Sequence, residues 1–141
     1  MTTVPLPKEG SFYLPRPMCD QVVAHARREA PRECCGVIGG TAGEMPELYP
    51  LTNLEPGNTR YRIADAELYR VYRELDERGG EILAIYHSHP STPAYPSPTD
   101  VALALWAEAH YLICSLADPD RPDIRAFRIV GGHIREVPVS S

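Results

Sequence analysis

His87-Ser88-His89-Pro90, followed by Ser97 and Asp100, puts two imidazoles, a carboxylate and a hydroxyl within fourteen residues. Imidazole nitrogen and carboxylate oxygen are ligand types that hold zinc. The apolar run from Ile82 to Tyr86 before them is short, partly β-branched and bounded by Gly79-Gly80 and Pro90, which predicts a buried strand with the histidines at its end. Residues i and i+2 of a strand project from one face about 6–7 Å apart, within reach of one ion through bonds of about 2.0 Å. His87 and His89 therefore share a face, and Ser88 takes the other. Asp100 follows a Pro- and Ser-rich turn at 90–98 and opens a helix expected over residues 99–109, so a carboxylate on a first helical turn can complete the set. Two imidazoles and one carboxylate leave one position open. Closed structural zinc sites use four protein ligands, usually with Cys, whereas catalytic sites keep a place for water.

The same residues also admit a structural reading. Ser97-Pro98-Thr99-Asp100 reads as a capping box, with Ser97 as N-cap, Pro98 first in the helix and Asp100 reaching back to the Ser97 amide. His-x-His alone is commonly a pair of polar residues at a strand end. Their joint occurrence, with a candidate base upstream, favours the metal, and the two roles of Ser97 can coexist. The candidate base is Glu33, in Pro31-Arg32-Glu33-Cys34-Cys35-Gly36-Val37-Ile38-Gly39-Gly40. A carboxylate just ahead of a Gly-bounded apolar strand can be carried to a sheet edge; without further context it is an exposed loop glutamate.

Glu33, then His87-Ser88-His89-Pro90, then Ser97 and Asp100 resembles the signature of the JAMM (MPN-plus) metallopeptidases, in which a glutamate far upstream precedes His-Ser/Thr-His-Pro and Ser-x-x-Asp. The likeness runs from the helix near Val22 and Glu33-Cys34-Cys35-Gly36 through Tyr61-Arg62-Ile63 to the strand at Tyr111. It is closest to compact bacterial members acting on ubiquitin-like sulfur carriers. The resemblance implies an α/β fold, a curved mixed sheet packed by helices and related to cytidine deaminases. It implies Zn²⁺ held by His87, His89 and Asp100, with Glu33 taking a proton from water and returning it to the leaving amine. Ser97 would donate a hydrogen bond to the developing oxyanion. The implied reaction is hydrolysis after the C-terminal Gly-Gly tail of a carrier, with cysteine release, deconjugation and tail trimming all open. Such a tail could lie as an added strand along a sheet edge. No long insertion flanks the site, which disfavours selectivity for one ubiquitin-chain linkage.

Other functions are weaker. A nucleobase deaminase needs His-x-Glu with Pro-Cys-x-x-Cys, and neither is present. A two-His-one-carboxylate iron oxygenase shares the ligand types but has no need of Glu33. A non-catalytic MPN scaffold or binding module is the rival from another class, and the complete ligand set speaks against it.

The elements that must position these groups alternate along the chain. Strands are expected at residues 11–14, 34–38, 46–53, 60–63, 82–86 and 111–115, with a hairpin formed by 124–130 and 134–139 around Gly131-Gly132-His133. A first helix over 17–30 carries Met18, Val22 and Ala26 on one face and ends at Pro31. A second is capped by Asp65 and runs to about Arg78, with Leu68, Val71, Tyr72 and Leu75 at helical spacing and Gly79-Gly80 ending it. The third, over 99–109, is apolar enough to be buried. This alternation predicts helices on a mixed sheet.

With 141 residues the chain is one domain, residues 1–141, burying about two thirds of its unfolded surface. Residues 1–10 hold no signal-peptide core and no segment reaches the length of a membrane span, so a cytoplasmic protein is expected. The net charge of −5, from 19 acidic and 14 basic residues, argues against nucleic acid as the main partner. Arg60, Arg62, Arg70 and Arg73 form a local exception that either faces solvent or anchors a substrate carboxylate through bidentate pairing. Cys19, Cys34, Cys35 and Cys114 lack Cys-x-x-Cys spacing and read as small buried residues in a reducing compartment, with a redox role for Cys34 or Cys35 left open. His25, His110 and His133 fall on the first helix, a strand start and the hairpin turn. The prolines at 93, 96 and 98 stiffen the segment that delivers Ser97 and Asp100. Nothing in the residues sets an oligomeric state.

Overall fold

A computed structural model describes residues 10–141. The signal-peptide reading therefore falls almost wholly outside the described residues. The elements in order are β1 (Phe12–Tyr13), α1 (Arg16–Glu29), β2 (Cys35–Gly40), β3 (Glu47–Leu51), α2 (Asp65–Glu77), β4 (Glu81–His89), α3 (Pro98–Leu103), β5 (His110–Ser115), β6 (Asp123–Val130), β7 (His133–Val137) and β8 (Val139–Ser140). Six strands form one sheet in the order β3-β2-β4-β5-β6-β7, and β1 pairs with β8 separately. Only β4 and β5 run parallel within the large sheet, so it is mixed. No helix among the described residues is long and apolar enough to cross a membrane.

The two-residue strand period divides the core. Ala84 and Tyr86 of β4, Leu112 and Cys114 of β5 and Ile38 of β2 pack under α1 with Met18, Val22 and Ala26. Ile85, Tyr111, Ile113, Cys35 and Val37 pack on the opposite face with Val71 and Leu75 of α2. A central strand covered on both faces is apolar throughout, and β4 is buried at every position from Ala84 to His89. His87 and His89 have the parity of Ile85 and belong to the α2 face.

Two glycines have definite tasks. Gly131 and Gly132 take φ of 57° and 80°, the left-handed pair that a two-residue hairpin turn of type I′ requires, and Val130 pairs with His133 across it. His133 thus begins β7 instead of lying in the turn. At Gly36 an added Cβ would stand 2.4 Å from the Tyr86 hydroxyl. Tyr86 is fully buried and its hydroxyl bonds His25 Nδ1 at 2.8 Å, so it has nowhere to go. Gly36→Ala is expected to destabilise the fold by about 3 kcal/mol, measured as a lower urea midpoint with unchanged slope.

His25 is itself a pH-sensitive part of this core. Burial, aided by the Arg28 charge, depresses its pKa. The neutral ring is therefore favoured in the fold: its stabilisation is complete above the unfolded value near 6.5 and is lost as pH falls through the folded one. The drop in urea midpoint from pH 7 to pH 5 should shrink in His25→Gln; an equal drop in both proteins would refute this role.

Several expectations change. The helix expected over 99–109 ends at Leu103, because Ala104 leaves helical geometry and the Trp106 amide bonds the Tyr111 hydroxyl at 2.9 Å as the chain turns into β5. It is not buried either: Asp100 alone in α3 is buried, and Leu105 beyond it is 87% exposed. Residues 60–63 form no strand beyond an Asn53–Ile63 bridge, since the Arg60 carbonyl and Arg62 amide bond the Asn53 side chain. In α2, Ala64 is the N-cap and Asp65 the first helical residue, where its charge faces the helix dipole, and Tyr72 is exposed. Finally β2, which Glu33 precedes, is interior, so Glu33 reaches no sheet edge; the free edges of the large sheet, where a strand could be added, belong to β3 and β7.

Candidate metal centre

The pairing of β2 with β4 decides where Glu33 goes. Cys35 lies opposite His87 in antiparallel register, so two residues back Glu33 falls opposite His89 and on the same face. Its neighbour is tied down independently: the Cys34 amide donates to Ser88 Oγ at 2.8 Å and the Ser88 amide to the Cys34 carbonyl at 3.1 Å. In His-Ser-His the outer residues thus face the donors while the middle one, on the other face, anchors the segment bearing the glutamate.

Asp100 arrives from the far side of a turn by a different device. Ser97 Oγ accepts from the Asp100 amide at 3.0 Å, and the Ser97 amide donates to Asp100 Oδ2 at 2.9 Å, the reciprocal capping box expected from the sequence. The loop before it is held by His89 Nδ1, which donates to the Pro93 carbonyl at 2.8 Å, and by the Ser115 hydroxyl, which donates to the Thr92 carbonyl at 2.6 Å.

The result is a compact donor triangle. His87 Nε2 and His89 Nε2 lie 3.1 Å apart, and Asp100 Oδ2 lies 3.2 and 3.0 Å from them. Two ligands bonded at about 2.0 Å to a tetrahedral ion stand about 3.3 Å apart, close to this size. Glu33 joins the group, with one donor atom from each of the four residues within 4.8 Å of all others, and all four side chains are buried.

Electrostatics supports a cation at the centre. With its Nδ1 proton committed to Pro93, neutral His89 turns a lone pair at Nε2 toward a carboxylate oxygen, an arrangement that a proton or a metal must bridge. Burial pulls the His89 pKa down, but the bonds to Asp100 and Pro93 carry it above its ordinary value. Burial holds His87 neutral, as a ligand must be. Burial also opposes ionisation of Asp100, yet its contacts with both imidazoles hold its pKa far below the usual range. Glu33 Oε1 and His87 Nδ1 are buried without a hydrogen-bond partner among the described residues, uncommon for such atoms. Burial raises the Glu33 pKa to about 7, with the His89 charge opposing and the Asp100 charge reinforcing the shift. This donor set fits Zn²⁺.

A groove of about 750 Å³ is lined by Arg60, Tyr61, Arg62, Thr99, Leu103 and Trp106 among others, and by Ile85 of the strand that carries the histidines. Tyr61 connects groove and donors, its ring stacked on His87 at 4.3 Å. The arginine cluster divides here. Arg60 and Arg62 line the groove, whereas Arg70 and Arg73 line a separate depression on α2, where Arg73 pairs with Glu77 at 3.2 Å. All four cysteines are free, and burial pushes the thiols of Cys34 to about 11 and Cys35 to about 12, so neither offers a thiolate at neutral pH.

Ser88, Asn53 and Tyr61 had no assigned role in the sequence, and Pro93 was read for its stiffness, not for the carbonyl that holds His89. Asn53 alone carried a local signal, since Asn ahead of Leu54-Glu55-Pro56-Gly57 favours an Asx turn, and its Oδ1 does accept from the Glu55 amide at 2.9 Å.

A mixed sheet that brings two imidazoles from its central strand, a capped carboxylate and a buried glutamate to one point defines a domain of the metallohydrolase class. The chain belongs to the prokaryotic homologs of the JAB domain, which it matches over residues 15–130, in agreement with the JAMM resemblance. It is 41% identical over 138 residues to the CysO-cysteine peptidase of Mycobacterium tuberculosis, covering 94% of each chain. It is 33% identical over 131 residues to the desampylase of Haloferax volcanii, covering 86% of this chain and 89% of that one. A solution structure of a Desulfitobacterium hafniense protein, 32% identical, superposes with a TM-score of 0.81 over 92% of this chain and 91% of the other.

Proposed function

We propose that the chain is a zinc-dependent peptidase or isopeptidase that hydrolyses the bond after the C-terminal Gly-Gly tail of a ubiquitin-like sulfur-carrier protein, releasing cysteine from a carrier adduct. Residues 1–141 are read as a single JAMM/MPN metallopeptidase domain acting in the cytoplasm, which the free cysteines support. The observation that carries the reading is Glu33 Oε1, buried without a partner among the described residues and grouped with three donors 3.0–3.2 Å apart. The 41% identity to a CysO-cysteine peptidase supports the substrate class.

In this reading His87, His89 and Asp100 hold Zn²⁺, which when bound supplies a Lewis acid for the scissile carbonyl and acidifies water. Glu33 accepts a proton at Oε1 and delivers it to the leaving amine, and burial, which raises its pKa, makes it a stronger base than an exposed carboxylate. Among the described residues Ser97 Oγ accepts the cap bond from Asp100 and makes no other bond, which leaves its own proton for the oxyanion. Loss of such a donor typically costs about 2.7–4 kcal/mol of transition-state stabilisation. The groove gives room for an extended tail whose glycines bring no side chains against its walls.

Arg62, which lines the groove, suits the carrier's acidic or carboxylate groups. Arg62→Glu is expected to raise KM about tenfold with kcat little changed; steady-state kinetics showing the same KM would remove Arg62 from recognition. The function itself is tested by incubating zinc-loaded protein with a carrier bearing one residue beyond Gly-Gly and following its mass, with Glu33→Gln as control. Loss of the terminal residue is expected with the unaltered protein alone. A carrier that keeps its mass throughout would overturn the proposal.

A further inference from the structure

We propose that Asn53 is a positioning residue for this hydrolysis, locking the Glu33 backbone and the 54–62 segment that walls the groove into one unit; the inference rests on the role given to Glu33 above. Asn53 is 8% exposed. Its amide has two donor hydrogens and an oxygen with two lone pairs, and all are used. Nδ2 donates to the Glu33 carbonyl at 3.0 Å and to the Arg60 carbonyl at 3.2 Å, while Oδ1 accepts from the Glu55 and Arg62 amides, each at 2.9 Å. Arg32, beside Glu33, reinforces the same contact by donating to the Asn53 carbonyl at 2.9 Å and to the Glu55 carbonyl.

The segment has little else to order it. No helix or strand falls within residues 54–62, and a backbone bond from the Leu54 amide to the Arg62 carbonyl at 2.9 Å closes it. Between the two residues that Asn53 fixes, Arg60 and Arg62, sits Tyr61, whose buried ring stacks on His87. One side chain therefore holds in register the backbone of the base, the wall of the groove and the ring packed on a histidine donor. An asparagine that served only the local turn would need Oδ1 alone; the Nδ2 bond to Glu33 crosses twenty residues of sequence.

Asn53→Asp keeps the shape and the acceptors but sets an oxygen against the Glu33 and Arg60 carbonyls. Assayed well below its melting temperature and with full zinc content, it should lose about 100-fold in kcat and gain in KM. In a double variant with Glu33→Gln, single-turnover rates should fall no further than in Glu33→Gln alone, because Asn53 acts through Glu33. Asn53→Ala serves as the second variant, read by NMR and amide exchange: Glu55 and Arg62 should lose protection and the Glu33 and His87 signals should shift, with β4 and β5 unchanged. A lower melting temperature with unaltered kcat and KM overturns the proposal. Should the unaltered protein itself not turn over carrier, the proposed function fails, and the NMR experiment decides alone: Glu33 and His87 signals that stay in place overturn the role of Asn53.

Discussion

Glu33→Gln is expected to keep one zinc per chain and to lower turnover by about 10²–10⁴-fold, the usual worth of a positioned acid–base group. The substitution preserves volume and places an amide where the carboxyl was, so the packing around a side chain 5% exposed is undisturbed. An amide cannot take a proton near neutral pH, whereas a carboxylate whose basicity is raised by burial can. Metal retention follows from the geometry. The close triangle at 3.0–3.2 Å is made by His87, His89 and Asp100 without Glu33. Metal analysis after dialysis and the carrier mass assay measure the two halves separately, and near-normal turnover by this variant would remove Glu33 from the role of base.

Asp100→Asn is expected to have the opposite profile, losing metal first and activity as a consequence. Oδ2 of Asp100 lies against both Nε2 atoms and also accepts the Ser97 amide. It is the sole anionic ligand assigned in the triangle, so replacing it by an amide oxygen removes the charge that offsets a divalent cation. An affinity loss of about 100-fold or more is expected, since even the outer partners of metal ligands are worth 10–100-fold. The cap can survive, because an Asn oxygen still accepts from the Ser97 amide. The metal-free variant should therefore melt close to the metal-free parent while zinc titration shows the weakened site; His87→Ala should also lose the metal. Retention of stoichiometric zinc by Asp100→Asn against a chelator would contradict the assignment of Asp100 as a ligand.

The legible parts of the site were those governed by short-range geometry. Strand alternation is a two-residue rule, so the shared face of His87 and His89 follows from their spacing. The capping box spans three residues, so Ser97 and Asp100 could be paired on sight. The α1 stripe of Met18, Val22 and Ala26 and the Gly79-Gly80 stop after α2 are similar cases. The end of α3 was not legible. Residues 99–109 are rich in helix formers, and what stops the helix at Leu103 is a turn toward β5 with the Trp106 amide on a tyrosine hydroxyl. Tertiary contacts routinely override propensity of this size. Arg60 and Arg70 could not be separated either, because only the paths of the 54–62 segment and α2 send them to different surfaces.

The sequence by itself determined the kinds of groups available and their local placement: two imidazoles on one strand face, a carboxylate on a capped helical turn, and the metal class those donors suit. Tertiary structure decided that they meet. Glu33 is an ordinary polar residue until the register that sets Cys35 opposite His87 carries it under the same face, and its pKa rises chiefly because it is buried there. Long-range pairing is set by the packing of the whole sheet between α1 and α2, and desolvation depends on everything that closes over a group. Neither quantity is a property of neighbouring residues in the chain.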